Sequence, residues 1–299
     1  MDKIAFVFAG QGSQSVGMGR DLYDHFDCVK QLFDMSASIR DLCWNGPKEQ
    51  LDITINAQPA LFLTDLACAA VLTEKGVVAG GAAGFSLGEI PAACYAGLLT
   101  PQQAYDFVCH RAQAMQDCSE KQKGSMFAVM KLSNDQIKSI CAAFEAYPAN
   151  YNCPGQTVVA CAASCAENLR QAVTDQGGKA LVLPVSGAFH SPLMDAAAGS
   201  VAAYLEKVSL GILRIPLYAN VTARVYGDPR ELLSAQVNHP VLWQKTIENM
   251  ISDGFNTFIE VGPGKTLSGL IKKTNPDVRI YNVSDMESLE NTMKGLQNA

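Results

Sequence analysis

A serine between two glycines, in Gly84-Phe85-Ser86-Leu87-Gly88, satisfies the pattern G-x-S-x-G. The residues leading into it, Val77 to Phe85, are small and apolar like a buried strand, and Glu89 to Ala96 read as a helix. Between a strand and a helix this pattern makes a sharp turn that projects the hydroxyl of Ser86 outward. The N–H of Leu87, at the helix start, then faces any negative charge forming on a bound carbonyl. The chemistry is acyl transfer with Ser86 as nucleophile. The plain alternative is a glycine-flanked turn whose serine caps a helix.

A serine nucleophile needs a base, and the chain has four histidines. His110 lies inside a helical run beside Arg111, His25 sits among charged residues, and His239 precedes Pro240 in a turn. His190 stands out because Gly187-Ala188-Phe189-His190-Ser191-Pro192 is irregular and lies between a strand and a helix, as active-site loops do. No triad acid is evident, since Asp195 falls at the start of the next helix, where a carboxylate serves the helix terminus. Arg111, from its surroundings alone, reads as a helix-surface arginine paired with Asp106 or Asp117. Two glycine motifs fail as phosphate loops. Gly10-Gln11-Gly12 has Ser15 where a third glycine belongs, and Gly264-Lys265-Thr266 has Ile259 in place of a first glycine.

The elements that must hold these residues alternate between strand-like and helix-like, which predicts an α/β fold with a largely parallel sheet. Ile4 to Phe8 reads as a first buried strand, and Pro59 to Leu72 as a helix apolar on nearly every face, with Pro59 in its first turn. Pro101 opens a helix reaching about Asp117. Thr257 to Glu260, a helix from Lys265, and Val278 to Val283 close the chain. The character changes near Gly124, where strands at Ser125 to Lys131, Thr157 to Ala160 and Ala180 to Val185 alternate with helices at Ser133 to Ala146 and Ala166 to Asp175. That β-α-β-α-β run predicts a ferredoxin-like small domain at 124–190, inserted into a discontinuous large domain of 1–123 and 191–299.

The chain's 299 residues are 48% hydrophobic and 17% charged, enough to bury a sizeable core and too apolar for intrinsic disorder. A net charge of −6 argues against a globally basic nucleic-acid binder. The longest apolar stretch, around Leu66 to Leu72, falls short of the ~20 residues that a membrane span needs. Met1-Asp2-Lys3 leads into a short strand rather than a signal peptide. The ten cysteines are scattered without a CxxC pair, which reads as buried free thiols in a reducing cytoplasm.

Together these segments resemble the malonyl-coenzyme A:acyl carrier protein transacylases of fatty acid and polyketide synthesis, nearly end to end. The resemblance is carried by Phe6 to Gln14, Gln58-Pro59-Ala60, the serine turn through Glu89, and Arg111 to Gln116. It continues through Asn152 to Gln156, Ala188 to Ser191, Asn220-Val221-Thr222 and Glu260 to Gly264. It implies an α/β-hydrolase-like large domain, Ser86 as the acylated residue and His190 as its base. Gln11 and Leu87 would supply backbone N–H groups to an oxyanion hole, and the main-chain carbonyl of Gln236 would orient the histidine. Arg111 would bind the malonyl carboxylate through two parallel hydrogen bonds, which an acetyl group would leave unpaired. Asn152 would belong to the substrate site, Phe189 would wall out a 2-methyl branch, and Lys272 and Lys273 would dock the carrier.

The resemblance further implies ping-pong malonyl transfer from malonyl-coenzyme A to acyl carrier protein by a cytoplasmic monomer, without metal or cofactor. Two departures stand out: Phe85 where the family usually has histidine, and Ile90 where it usually has an aromatic residue. A thioester hydrolase using the same serine, a polyketide acyltransferase acting in trans and a non-catalytic carrier-binding scaffold are the alternatives.

Overall fold

The computed structural model describes residues 3–185 and 187–298, so Met1 and Asp2 of the N-terminal reading lie outside the described residues. Nine strands are present among them: β1 (Ile4–Phe8), β2 (Gly81–Gly84), β3 (Gly124–Met130), β4 (Tyr147–Cys153), β5 (Gln156–Ala162), β6 (Lys179–Val182), β7 (Leu217–Tyr218), β8 (Thr257–Val261) and β9 (Arg279–Val283). They form two sheets, one in the order β7-β2-β1-β8-β9 and one in the order β4-β5-β3-β6.

The first sheet is parallel throughout. Helices cover both its faces, so its central strands are apolar without alternation, as in Ala5-Phe6-Val7-Phe8, all buried. Parallel strands bring their carboxyl ends to one edge, where α/β sheets place their ligand sites. Ser86 follows β2 there, Gly10 to Gly12 follow β1, and Gly262 follows β8.

The second sheet is antiparallel. Its connectivity is β-α-β-β-α-β, one strand more than the sequence pattern predicts. The additional strand, β4, carries Pro148, Asn150 and Asn152 and has register shifts at Pro148/Asn150 and Tyr151/Cys153. It is an edge strand interrupted at Pro148, and edges and register shifts are the places in a sheet where proline is tolerated. On that edge Tyr151 N–H donates to Val241 O (2.9 Å) and Val241 N–H donates to Ala149 O (2.8 Å), tying the small sheet to the segment that leads into the Trp243–Ser252 helix.

The apolar helix begins earlier than its sequence suggests. It spans Thr54–Glu74, which puts Pro59 in its interior rather than its first turn, where the ring forfeits one ladder bond. By length and composition this helix could cross a membrane, but it is the enclosed core helix of the fold. The Pro101–Lys121 helix starts at a capping box in which Thr100 and Gln103 satisfy each other's backbone groups, with Pro101 in the first turn. That fixed start sets the direction in which Arg111 enters the interior. All ten cysteines are free thiols, seven of them buried.

Candidate active site

The turn after β2 is tight for steric reasons. A Cβ on Gly84 would lie 2.0 Å from Gly88 C and O, and one on Gly88 would lie 2.2 Å from Phe8 O. Neither glycine has a positive φ. The left-handed conformation belongs to Ser86 itself, at φ 54°, a backbone state that costs a non-glycine residue and must be held by its surroundings. Asn220 does the holding: its Oδ1 accepts from Ser86 N–H (2.8 Å) and its Nδ2 donates to Gly84 O (2.6 Å). Ser86 then opens a one-turn 3₁₀ helix, Ser86–Gly88, that runs into the Glu89–Tyr95 helix.

His190 arrives from the other side of the cleft, also at positive φ (59°). Its N–H donates to Val237 O (3.1 Å). The ring Nδ1 lies 2.7 Å from Gln236 O and the ring Nε2 lies 2.7 Å from Ser86 Oγ. A carbonyl can only accept, so Nδ1 carries the proton and Nε2 presents its lone pair to the serine hydroxyl. Burial, reinforced by the positive charge of Arg111, lowers the His190 pKa to about 3, which keeps the ring neutral and able to accept a proton. The three other histidines are engaged elsewhere: His25 on Asp21 O, His110 stacked on Tyr204 and bonded to Ser200, and His239 on Ala235 O. Asp195 accepts from Asn238 Nδ2 (2.8 Å) in the first turn of its helix, away from the ring nitrogens of His190.

Arg111 is fully buried and pairs with neither Asp106 nor Asp117, which accept from Gln102 and Gln113. Its Nη1 donates to Gln58 Oε1 (2.7 Å) and its Nη2 to Gln236 Oε1 (2.6 Å), with Ser86 Oγ 3.4 Å from Nη2. Two side-chain amides thus occupy its terminal nitrogens even without a substrate carboxylate, while its Nε is buried without a partner among the described residues. Burial lowers its pKa to about 10, leaving it a cation at neutral pH.

Beneath these residues lies Glu89, wholly buried. Its Oε1 accepts from Asn220 N–H (3.0 Å) and Tyr226 OH (2.5 Å), and its Oε2 accepts from Gln236 Nε2 (3.1 Å). Burial pushes its pKa up to about 7 against the pull of these donors and of Arg111. The Gln236 Nε2 also donates to Ser86 O (3.1 Å). With its amide nitrogen committed to acceptors, Gln236 must turn its oxygen toward Arg111. One residue therefore orients the histidine through its backbone and the arginine through its side chain.

A cavity of about 260 Å³ opens over Ser86, lined on one side by Gln11, Phe85, Phe189 and His190 and on the other by residues of the second sheet, including Asn152. Asn152 donates to Gln156 Oε1 (3.2 Å), while its own Oδ1 is buried without a hydrogen-bond partner among the described residues. Phe85 stands edge-on to Trp243, ring centroids 5.5 Å apart, so the position before the serine is an apolar wall. Ile90 is fully buried in the core. The N–H groups of Gln11 and Leu87 have no acceptor among the described residues.

Gly10 to Gly12 form a loop rather than a helix start, and the first N–H groups of the Thr266–Thr274 helix go to Glu260 (Leu267 3.0 Å, Ser268 2.7 Å). Both glycine motifs thus lack the free helix terminus that phosphate loops present. Lys272 is exposed and donates to Pro276 O (2.6 Å) just beyond its helix. Lys273 is exposed, one turn on from Leu270, which lines the cavity. No individual role for Gln58, Glu89, Asn220 or Tyr226 follows from the sequence alone. Gln58 carried a signal nonetheless, as a polar amide in a helix apolar on nearly every face.

Residues 5–297 match the family described as acyl transferase domain. The chain is 36% identical over 311 residues to the malonyl CoA-acyl carrier protein transacylase of Bacillus subtilis, across 99% of this chain and 98% of that one. To the protein of the same name from Haemophilus influenzae it is 35% identical over 303 residues, across 96% and 97%. Among solved structures, the malonyl CoA-acyl carrier protein transacylase of Clostridium perfringens superposes with a TM-score of 0.95 at 36% identity, covering 99% of this chain and 98% of that one. A chain from the complex of a type II PKS acyl-carrier protein with its malonyl-transacylase gives 0.94 at 33% identity, covering 98% and 100%.

Proposed function

The chain belongs to the acyl transferase family, and from that premise we propose that it moves a malonyl group from coenzyme A to the phosphopantetheine thiol of an acyl carrier protein. The observation that carries this reading is the line Gln236 O, His190, Ser86 Oγ, with 2.7 Å at each step and the Arg111 guanidinium 3.4 Å from the same hydroxyl. A nucleophile, its base and a cation sized for a carboxylate meet at one atom.

In the first half-reaction His190 Nε2 takes the proton as Ser86 Oγ bonds to the thioester carbon. The C–S bond then breaks, and the proton passes to the departing coenzyme A sulfur. The negative oxygen of the tetrahedral intermediate is received by the N–H groups of Gln11 and Leu87, and loss of one such donor costs roughly 3 kcal/mol of barrier. The carrier thiol then reverses the sequence on the malonyl-Ser86 ester. Exchange between two thioesters is nearly thermoneutral and calls for no cofactor. The malonyl carboxylate joins Arg111 in place of an amide oxygen, a charged acceptor for a neutral one. Phe189 narrows the cavity beside the α-carbon, and Asn152 Oδ1 offers an acceptor from the opposite wall.

Carrier proteins are acidic, and docking one on a chain of net charge −6 requires a local positive site. Lys272 and Lys273, both exposed at the end of the helix whose Leu270 lines the cavity, take that part. On the same reading the chain divides into a large domain, 1–123 and 191–299, and a small one, 124–190; the separate strand sets of the two sheets support that division. A monomer in a reducing cytoplasm fits the ten free thiols.

Intact mass after mixing with malonyl-coenzyme A tests the assignment. A malonyl adduct is expected, absent in Ser86→Ala and discharged by holo carrier protein. Discharge by water at the same rate without carrier would identify a hydrolase instead. Arg111→Ala should lower malonyl transfer by roughly 10- to 100-fold, the worth of a hydrogen bond to a charged group, while acetyl transfer holds or rises.

A further inference from the structure

Away from the acyl cavity, a groove of about 880 Å³ opens at the far end of the helix that follows the serine turn. The Glu89–Tyr95 helix brings Cys94 and Tyr95 to this groove, which shares no lining residue with the cavity over Ser86. Its floor is apolar and nearly closed to water, with Leu32, Leu66, Leu98 and Leu99 each less than one-tenth exposed. Volume and lining both suit a ligand site, where a cleft of about 300–1,000 Å³ has mostly apolar walls and few polar groups.

One wall is the irregular segment 209–214. It is tied down at Gly211, whose N–H donates to Leu98 O (2.8 Å), and at Arg214, whose N–H donates to Ala96 O (2.8 Å). Gly97 turns the chain at φ 93°, and the stem of Arg214 lies across it. A Cβ at Gly97 would sit 2.9 Å from Arg214 Nε and 3.0 Å from its Cγ. That close approach sets the exposed guanidinium at the rim, where it has no hydrogen-bond or ion-pair partner among the described residues.

Arg214 is also the one charged residue among those that line the groove. Glu74, which the Cys28 thiol meets, lies outside the lining. The polar side chains nearby are spent locally, Thr73 on Ala69 O (2.9 Å) and Gln103 on Ser209 O (3.0 Å). A recessed apolar trough with one unpaired cation at its edge, on a chain of net charge −6, is complementary to an apolar chain ending in one negative charge. A polyphosphate would demand several cations, and a neutral chain would leave the guanidinium unused.

We propose that this groove binds a free long-chain carboxylate, with its alkyl chain along Leu32, Leu66, Leu98 and Leu99 and its acid group on Arg214. The site stands apart from the acyl-transfer reading and does not depend on it.

Isothermal titration calorimetry with hexanoate, octanoate and decanoate, each below its micelle-forming concentration, tests the affinity. Binding should saturate, and should tighten roughly four- to fifteenfold for every two methylenes, according to how fully they are buried. Decanol should bind roughly three- to tenfold more weakly than decanoate. Arg214→Gln, which alters an exposed side chain, should fold normally and remove that advantage, while Arg214→Lys keeps part of it.

The location is read separately, by maleimide alkylation and peptide mass. Decanoate should slow modification of Cys28, which lines the groove, and leave Cys109 and Cys165, also part-exposed but elsewhere, unchanged. Equal affinity for decanoate and decanol would overturn the proposal, as would undiminished decanoate binding in Arg214→Gln. Absence of saturable decanoate binding sinks it too, and so does a Cys28 that stays unprotected or is protected no more than Cys109 and Cys165.

Discussion

Asn220 makes one contribution with its side chain and another with its backbone, and substitution separates them. Its amide holds both ends of the turn carrying Ser86, while its N–H supports Glu89. Asn220→Ala keeps the second and removes the first, leaving the buried Ser86 N–H and Gly84 O unpaired. The expected cost is about 2–3 kcal/mol of stability, together with a fall in kcat for malonyl transfer at nearly unchanged KM, because Ser86 loses the bond that fixes its strained φ. Urea unfolding and steady-state kinetics on the same preparation check both, and a KM effect alone would contradict the assignment. Phe85→His restores the residue usual in the family and touches neither Oγ nor the base. It should cost about 1 kcal/mol through the lost edge-to-face contact with Trp243, with malonyl-Ser86 still formed.

The elements around the turn explain why Gly84 and Gly88 were readable from the sequence for a reason that needed revision. The sequence points to glycine as the residue that permits a strained turn, whereas these two glycines serve close approach: backbone of the serine helix lies against Gly84, and backbone of β1 lies against Gly88. Backbone cannot swing aside as a side chain does. Gly84→Ala and Gly88→Ala should each cost several kcal/mol or prevent folding, by overpacking beyond the usual 1–3 kcal/mol. Gly199, inside the Asp195–Leu205 helix with open space where a Cβ would go, is the control. There alanine should stabilise by about 1 kcal/mol, measured by thermal or urea unfolding.

The parallel strands, the serine turn and His190 were legible because their signals are local: an apolar run, a five-residue motif, an irregular loop. β4 was not, since Pro148, Asn150 and Asn152 break its apolar pattern and its pairing depends on β5 and Val241, distant in sequence. The polar web of Gln58, Glu89, Asn220 and Tyr226 was hidden for the same reason, as each is ordinary until the fold brings them to one place.

Across the whole molecule, the buried carboxyl groups set how stability responds to pH. Asp65, on the core helix, is fully buried, and the nearby N–H of Ala9 is spent on Val261 O (3.2 Å). Burial and the neighbouring Glu260 push its pKa well above the usual carboxylate range. Glu260 is the better placed of the two to ionise, with Leu267 and Ser268 N–H groups donating to it. Those bonds anchor the helix that brings Thr266 and Leu270 to the cavity.

A group whose pKa is raised in the folded state holds its proton there while the unfolded chain releases it, so stability falls as pH rises above the unfolded value near 3.8. Glu89 adds to the decline until about pH 7. His190, lowered to about 3 from 6.5, acts oppositely and only below pH 6.5. Between pH 6.5 and 8, below the range where the buried thiols begin to matter, the carboxyls dominate. Asp65→Asn, neutral throughout, should therefore gain on the unmodified protein by up to about 2 kcal/mol between pH 6.5 and 8, at 1.36 kcal/mol per unit for a fully retained proton. Urea midpoints at the two pH values measure the difference, and a gain independent of pH would show that Asp65 ionises normally. Malonyl transfer should survive in Asp65→Asn and weaken in Glu260→Gln, because Glu260, whose two oxygens accept from Leu267 and Ser268 N–H, steadies the helix beside the reacting serine.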